Sequence, residues 1–173
     1  MLKHLLLSVS SEDKPGVVEK LSSAIESCGG NWLESRLANL RGRFVGVIWV
    51  SLSTADADSL QAALQQLRDQ GITVNIDDSD SSDTVSAKNL RQFSIIGPDR
   101  PGIVKEVSLA LSAHGINLEE LETNLSSAPY SGEPIFEASG VLSVAENTQL
   151  SELKNRLGDI ADELGLDLSL DTE

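Results

Sequence analysis

The chain is poor in several residue types, and each shortage excludes something. Two Trp, one Tyr and three Phe among 173 residues leave its cores to aliphatic side chains. The single cysteine, Cys28, rules out an intramolecular disulfide and fits a reducing compartment. It falls on the apolar stripe of a predicted helix, where an inert buried thiol is the expected role. Positive charge is scarce too: 13 Lys and Arg against 27 Asp and Glu give a net charge of −14. Such a field repels phosphate backbones and anionic lipid and argues against direct nucleic-acid binding. Arg36, Arg41 and Arg43 form the only local basic cluster, too small to reverse that. No apolar run approaches the ~20 residues of a membrane span, and Leu5-Leu6-Leu7 is too short for a signal peptide. A soluble, cytoplasmic protein is expected.

What the chain does have, it has twice. Asp13-Lys14-Pro15-Gly16-Val17-Val18 returns as Asp99-Arg100-Pro101-Gly102-Ile103-Val104. The register then holds without a gap, Leu21 on Val107, Ile25 on Leu111, Gly29 on Gly115 and Asn31 on Asn117, each pair 86 positions apart (99 − 13, 117 − 31). A constant spacing over such a stretch marks two copies of one structural unit.

Each copy reads βαββαβ. In the first, Lys3–Ser10 is a strand, and Asp13 is placed to cap a helix that Pro15 starts. Val17, Val18, Leu21, Ala24, Ile25 and Cys28 form its apolar face over about fourteen residues, and Gly29 and Gly30 end it. Trp32–Leu40 and Phe44–Leu52 read as a hairpin turning at Arg41-Gly42. A helix over 56–70 and a strand over 72–76 close the unit. The second copy repeats this order, but Phe44 matches Phe136 at a separation of 92, so six extra residues fall within Ser126–Pro134. Pro129 and Pro134 stiffen that insertion, and it is expected to touch a ligand or a partner. The predicted domains are 1–78 and 90–173, joined by a polar linker over 79–89. Right-handed crossovers place both helices of each unit on one face of a four-stranded antiparallel sheet, a ferredoxin-like α+β fold.

Asp-[Lys/Arg]-Pro-Gly-[Val/Ile]-Val after a strand, with Gly-x-Asn about fifteen residues on, resembles the ACT domain family of small amino-acid-sensing modules. The match spans nearly the whole chain. The tandem arrangement, with the sequence from Ala128 to Phe136 in the second hairpin, is most similar to the repressor family of the glycine cleavage system. That resemblance implies a protein that binds a small, glycine-like amino acid and modulates a DNA-binding activator by protein–protein contact, without binding DNA and without a cofactor. The alternative is a regulatory subunit conferring amino-acid feedback on a metabolic enzyme; a third reading is a scaffold that only dimerises. The ligand-binding residues implied are Asp13, Lys14, Gly16 and Asn31 in one copy, and Asp99, Arg100, Gly102 and Asn117 in the other. A zwitterion suits them: helix-start N–H groups favour a carboxylate, and Asp13 or Asp99 could accept from the ammonium. Gly16 and Gly102 would let a ligand approach the backbone, and the Asn amides can serve either group. Trp32 and Gly30, where the family has aliphatics, favour the Asn117 site over the Asn31 site.

No other constellation carries chemistry. His4 and His114 belong to different copies and make no metal site. Glu119, Glu120 and Glu122 read as a solvated strand edge rather than general acids or bases. Neither a nucleophile elbow nor a phosphate-cradling loop occurs, so no catalytic residue is expected. The helix separates Gly102 from Asn117, so one amino acid cannot be gripped by both within a unit. The second strand of such a unit is an edge open to pairing. If the Trp32–Leu40 and Leu118–Leu125 edges met about a two-fold axis, Asp13, Lys14 and Gly16 would join Asn117, and Asp99, Arg100 and Gly102 would join Asn31. A homodimer of like copies would instead pair Asp99 with a second chain's Asn117. A gel shift with the purified protein should leave a promoter fragment unretarded at physiological salt, because the net charge opposes counterion release; retardation at micromolar protein would contradict this.

Overall fold

The computed structural model describes residues 1–77, 89–145 and 149–170. The chain divides into two compact units, Met1–Ser82 and Asp83–Glu173. The first runs β1 (Leu2–Glu12), α1 (Val17–Ser27), β2 (Asn31–Leu40), β3 (Arg43–Ser53), α2 (Ala57–Arg68) and β4 (Ile72–Asp77), with a short 3-10 turn before α2. The second runs β5 (Asn89–Pro98), α3 (Ile103–Ala113), β6 (Asn117–Ser127), β7 (Pro134–Val144), α4 (Leu150–Leu164) and β8 (Asp167–Leu170). Strand orders are β2-β3-β1-β4 and β6-β7-β5-β8, with every neighbouring pair antiparallel. Two ferredoxin-like βαββαβ units result. The expected linker falls largely outside the described residues; Asn89, at its end, is the first residue of β5.

The repeat is physical as well as textual. Leu7, Val9, Val17, Leu21 and Ile25 are buried in the first core, and Phe93, Ile95, Ile103, Val107 and Leu111, each 86 positions later, in the second. Alternation along β1 and the three-to-four spacing along α1 aim these side chains at one another. Leu60, Leu64 and Leu67 of α2, and Leu153, Leu157 and Ile160 of α4, complete the layers. Val18, expected on the apolar face, is 47% exposed: it lies about 100° round the helix from Val17, and only one of two adjacent residues can face the sheet. The opposite face of the first sheet is lightly covered, and there the His4 ring stacks on Trp49, 5.7 Å apart and 8° from parallel.

The connections explain how the two copies differ. Leu40 pairs with Arg43, so two residues turn the first hairpin; Arg41 and Gly42 both have positive φ, 50° and 80°. That is the backbone of a type I′ turn, whose twist matches the strands. In the second copy Ser127 pairs with Pro134, and the loop between them carries the insertion. Leu21 is fully buried. Leu21→Ala should therefore destabilise the first unit by about 2–5 kcal/mol, while Val18→Ala should stay within about 0.5 kcal/mol, both read by urea denaturation.

Candidate functional site

Each Asp-x-Pro-Gly segment forms the turn between the first strand of its unit and the first helix. Gly16 and Gly102 are the residues preceding α1 and α3, with φ of 90° and 94°. Their carbonyls accept the first helical hydrogen bonds, from the Lys20 and Glu106 amides, both at 3.0 Å. A Cβ at either glycine would meet nothing closer than a carboxylate oxygen at 3.6 Å. Backbone handedness, rather than close approach, is what demands glycine here.

The capping role expected of Asp13 and Asp99 is not observed: neither helix has a side-chain cap. The left-handed glycine holds the N-cap position, three residues beyond the aspartate. Both aspartates instead tie the turn to the hairpin through their backbones. The Asp13 amide donates to the Gly42 carbonyl at 2.9 Å, and the Asp99 amide to the Pro134 carbonyl at 3.0 Å. The Asp13 carboxylate also accepts from Asn39 Nδ2, and Asn39 Oδ1 accepts from the Gly42 amide at 3.3 Å. Asp99 has an exposed carboxylate with no side-chain partner among the described residues.

The basic residues of the two turns are both engaged. Lys14 pairs with Glu12 and holds its carboxyl below the usual range. Arg100 forms a bidentate pair with Glu106, Nη1 to Oε1 at 2.9 Å and Nη2 to Oε2 at 2.5 Å, and also reaches the Leu164 carbonyl at 3.3 Å. The guanidinium lowers the Glu106 carboxyl and is itself raised by it.

At the far end of each helix the chain leaves through a left-handed glycine. Gly29 donates to Glu26 O and Gly30 to Ile25 O, both at 2.9 Å; Gly115 donates to Ser112 O at 3.0 Å and Ile116 to Leu111 O at 2.9 Å. These are Schellman closures, with Cys28 and His114 as the C-caps and the glycines one residue beyond. Asn31 and Asn117 then open β2 and β6, opposite Ser51 and Ser143. Eleven helical residues separate them from Gly16 and Gly102, about 16 Å along the axis, so neither unit brings its own glycine turn and its own Asn together.

Two residues on from each Asn the edge strand bulges: the register shifts between Trp32 and Glu34, and between Leu118 and Glu120. The extra residue is Leu33 in one copy and Glu119 in the other. Glu119 Oε1 accepts from Asn117 Nδ2 and from Ser143 Oγ, both at 2.7 Å. Glu119 is thus a structural partner of Asn117, a role that the expected strand alternation conceals because a bulge reassigns faces. The Asn31 amide has no side-chain partner among the described residues.

Gly102→Ala should destabilise the second unit by about 1–2 kcal/mol, because an L side chain is strained at this φ even with space for its Cβ. In an NMR pH titration Glu106 should titrate below the ordinary glutamate value of 4.5 and return toward it in Arg100→Ala. The sign follows: a depressed folded-state value stabilises above the unfolded value, and that contribution is lost as pH falls through the folded one. The pair is well solvated, so the effect on stability is small.

The ACT domain family model matches residues 3–77. A comparison with curated protein sequences gives no match. A solved structure of an unknown protein from Galdieria sulphuraria is 27% identical, with a TM-score of 0.83 over 99% of this chain and 98% of that one. A "putative glycine cleavage system transcriptional repressor" is 17% identical, with a TM-score of 0.78 over 99% of this chain and 97% of that one; at that identity the likeness is one of fold. Among the described residues no helix is long and apolar enough to cross a membrane, and no cluster of His, Cys, Asp and Glu could hold a metal ion. Residues 3–77 match the ACT domain model and the second unit repeats the βαββαβ fold of the first, so the chain consists of two tandem ferredoxin-like units, the first of them similar to an ACT domain.

Proposed function

We propose that this protein is a non-enzymatic, cytoplasmic regulator that binds a small, glycine-like amino acid at its Asp-x-Pro-Gly turns and passes the signal to a protein partner. The observation that carries the reading is the turn at Asp99. It joins an exposed carboxylate, with no side-chain partner among the described residues, to a left-handed glycine at the start of α3. A carboxylate can accept from an ammonium, and the N-terminal end of a helix favours the ligand's own carboxylate.

On this reading Asp99, Arg100 and Gly102, and their counterparts Asp13, Lys14 and Gly16, form one wall of a site. An Asn, Asn31 or Asn117, forms the other, since the helix length keeps a unit from closing on its own turn. A second chain in a homodimer can supply it. The hairpin insertion from Ser126 to Pro134 is the proposed partner contact: it exists in one copy only, carries the fully exposed Tyr130, and ends at the carbonyl that receives the Asp99 amide. Ligand binding at the turn and the position of the insertion are thereby mechanically adjacent. The partner proposed is a DNA-binding transcriptional activator, as the resemblance to the repressor family of the glycine cleavage system implies.

A thermal-shift screen against the common amino acids tests the reading. A ligand at a hundred times its dissociation constant should stabilise the protein by about 2.7 kcal/mol. Asp99→Ala should abolish most of that shift and leave the unliganded midpoint unchanged, because the side chain is exposed and has no partner among the described residues. A screen in which no amino acid moves the midpoint would contradict the proposal.

A further inference from the structure

Comparison of the two units at equivalent positions shows a charge replacement at one pocket. In the second unit Arg100 and Glu106 form their bidentate pair at the start of α3. Beside it Leu166 closes down on Gly97, where even a Cβ would come within 2.5 Å of its Cδ2. The counterparts in the first unit, 86 positions earlier, are Lys14, Lys20 and Ser11. The acid of the ion pair has become a second lysine. Arg43 adds a further cation: it lies opposite Glu12 in the β1–β3 register, where the second unit has Ile135 opposite Pro98.

These changes surround an open pocket of about 460 Å³ whose lining includes Ser11, Glu12, Lys14, Lys20, Arg43 and Gln70. Glu12 pairs with Lys14. Arg43 commits one Nη2 hydrogen bond to Ser10 Oγ, at 3.0 Å, and keeps its other donors. Lys20 has no ion pair or side-chain hydrogen bond among the described residues. Glu19, the neighbouring acid, has an Oε2 3.6 Å from where a Gly16 Cβ would stand and does not line the pocket. Three cations against one carboxylate thus share one concavity in a chain whose net charge is −14. Like charges gathered in a concavity are unfavourable without a counter-charge, and such a cleft focuses its field on an incoming anion.

We propose that the pocket of the first unit, between the turn into α1 and the turn into β4, binds a phosphate group, free or carried by a small metabolite. Lys14 and Lys20 supply point charges, and Arg43 supplies the planar donor pair that fits phosphate oxygens. The site is separate from the second unit's turn, and it shares Lys14 with the wall proposed for amino-acid binding in the first unit. At the same position the second unit has the Arg100–Glu106 pair in place of the two lysines, and Leu166 packed on Gly97.

Backbone amide NMR of the full chain, titrated with inorganic phosphate against sodium chloride at matched ionic strength, tests the proposal. Saturable shifts at Lys20, Gln70 and Gly71, absent in chloride, are expected. Lys20→Glu, which restores the charge of the second unit, and Arg43→Ile should each weaken binding about tenfold or more with the spectrum otherwise folded. Tighter binding of glycerol phosphate would identify a metabolite, and equal binding the free ion; either supports the site. Shifts no larger than those of chloride, or shifts indifferent to both variants, would overturn it. An amino-acid thermal shift kept in Lys20→Glu would show the two readings to be independent.

Discussion

A reversal of backbone hand at one residue sets the geometry of each unit. The first strand stays paired to its end, Glu12 with Arg43 and Pro98 with Ile135, and the chain must then turn sharply to lay a helix back across the sheet. Gly16 and Gly102 make that turn in the left-handed region, and their carbonyls begin the helix. Every buried contact of α1 and α3 follows from that starting point. Val17, Leu21 and Ile25 reach the first core only if the helix starts in that phase, and Ile103, Val107 and Leu111 do the same in the second. The backbone hydrogen bond from Asp13 or Asp99 to the neighbouring hairpin fixes the turn against the sheet. A segment held this way is rigid, exposed and rich in polar groups, which suits recognition.

Duplication supplied two such turns, and their side chains have since parted. In the first unit the aspartate is bound by Asn39, while the lysines face a pocket. In the second the aspartate is open, and the arginine is drawn into an ion pair with its own helix. The Asn that follows each helix has diverged in the opposite sense: Asn31 is open, whereas Asn117 is bound by Glu119. Two units that differ in this way do not present the same site twice. The insertion after Ser126 deepens the asymmetry, since only the second turn is fastened to a long hairpin loop.

Much of this architecture was legible in the sequence, because burial follows period. The constant separation of 86 positions aligns the two cores, and Arg41-Gly42 marks its turn. The failures have local causes. Asp before Pro-Gly looks like a helix cap, yet the cap position is decided by which residue can take a positive φ, and that is the glycine. Val18 looked inward because valine is apolar, but an adjacent valine had already taken the inward position. The bulge at Leu33 and Glu119 carries no composition signal, so the pairing of Glu119 with Asn117 emerged only in three dimensions. The exchange of Lys20 for Glu106 could be seen in the aligned copies, but its meaning required the Arg100 contact.

The central claim is that an amino acid is sensed at the Asp-x-Pro-Gly turns. Backbone amide shifts of the full chain during titration with glycine test it most directly, since they locate binding without assuming a site. The account predicts saturable movement of the Gly102 and Ile103 amides together with that of Asn31 or Asn117. Saturable shifts confined to other surfaces, or none at all with any small amino acid, would contradict it.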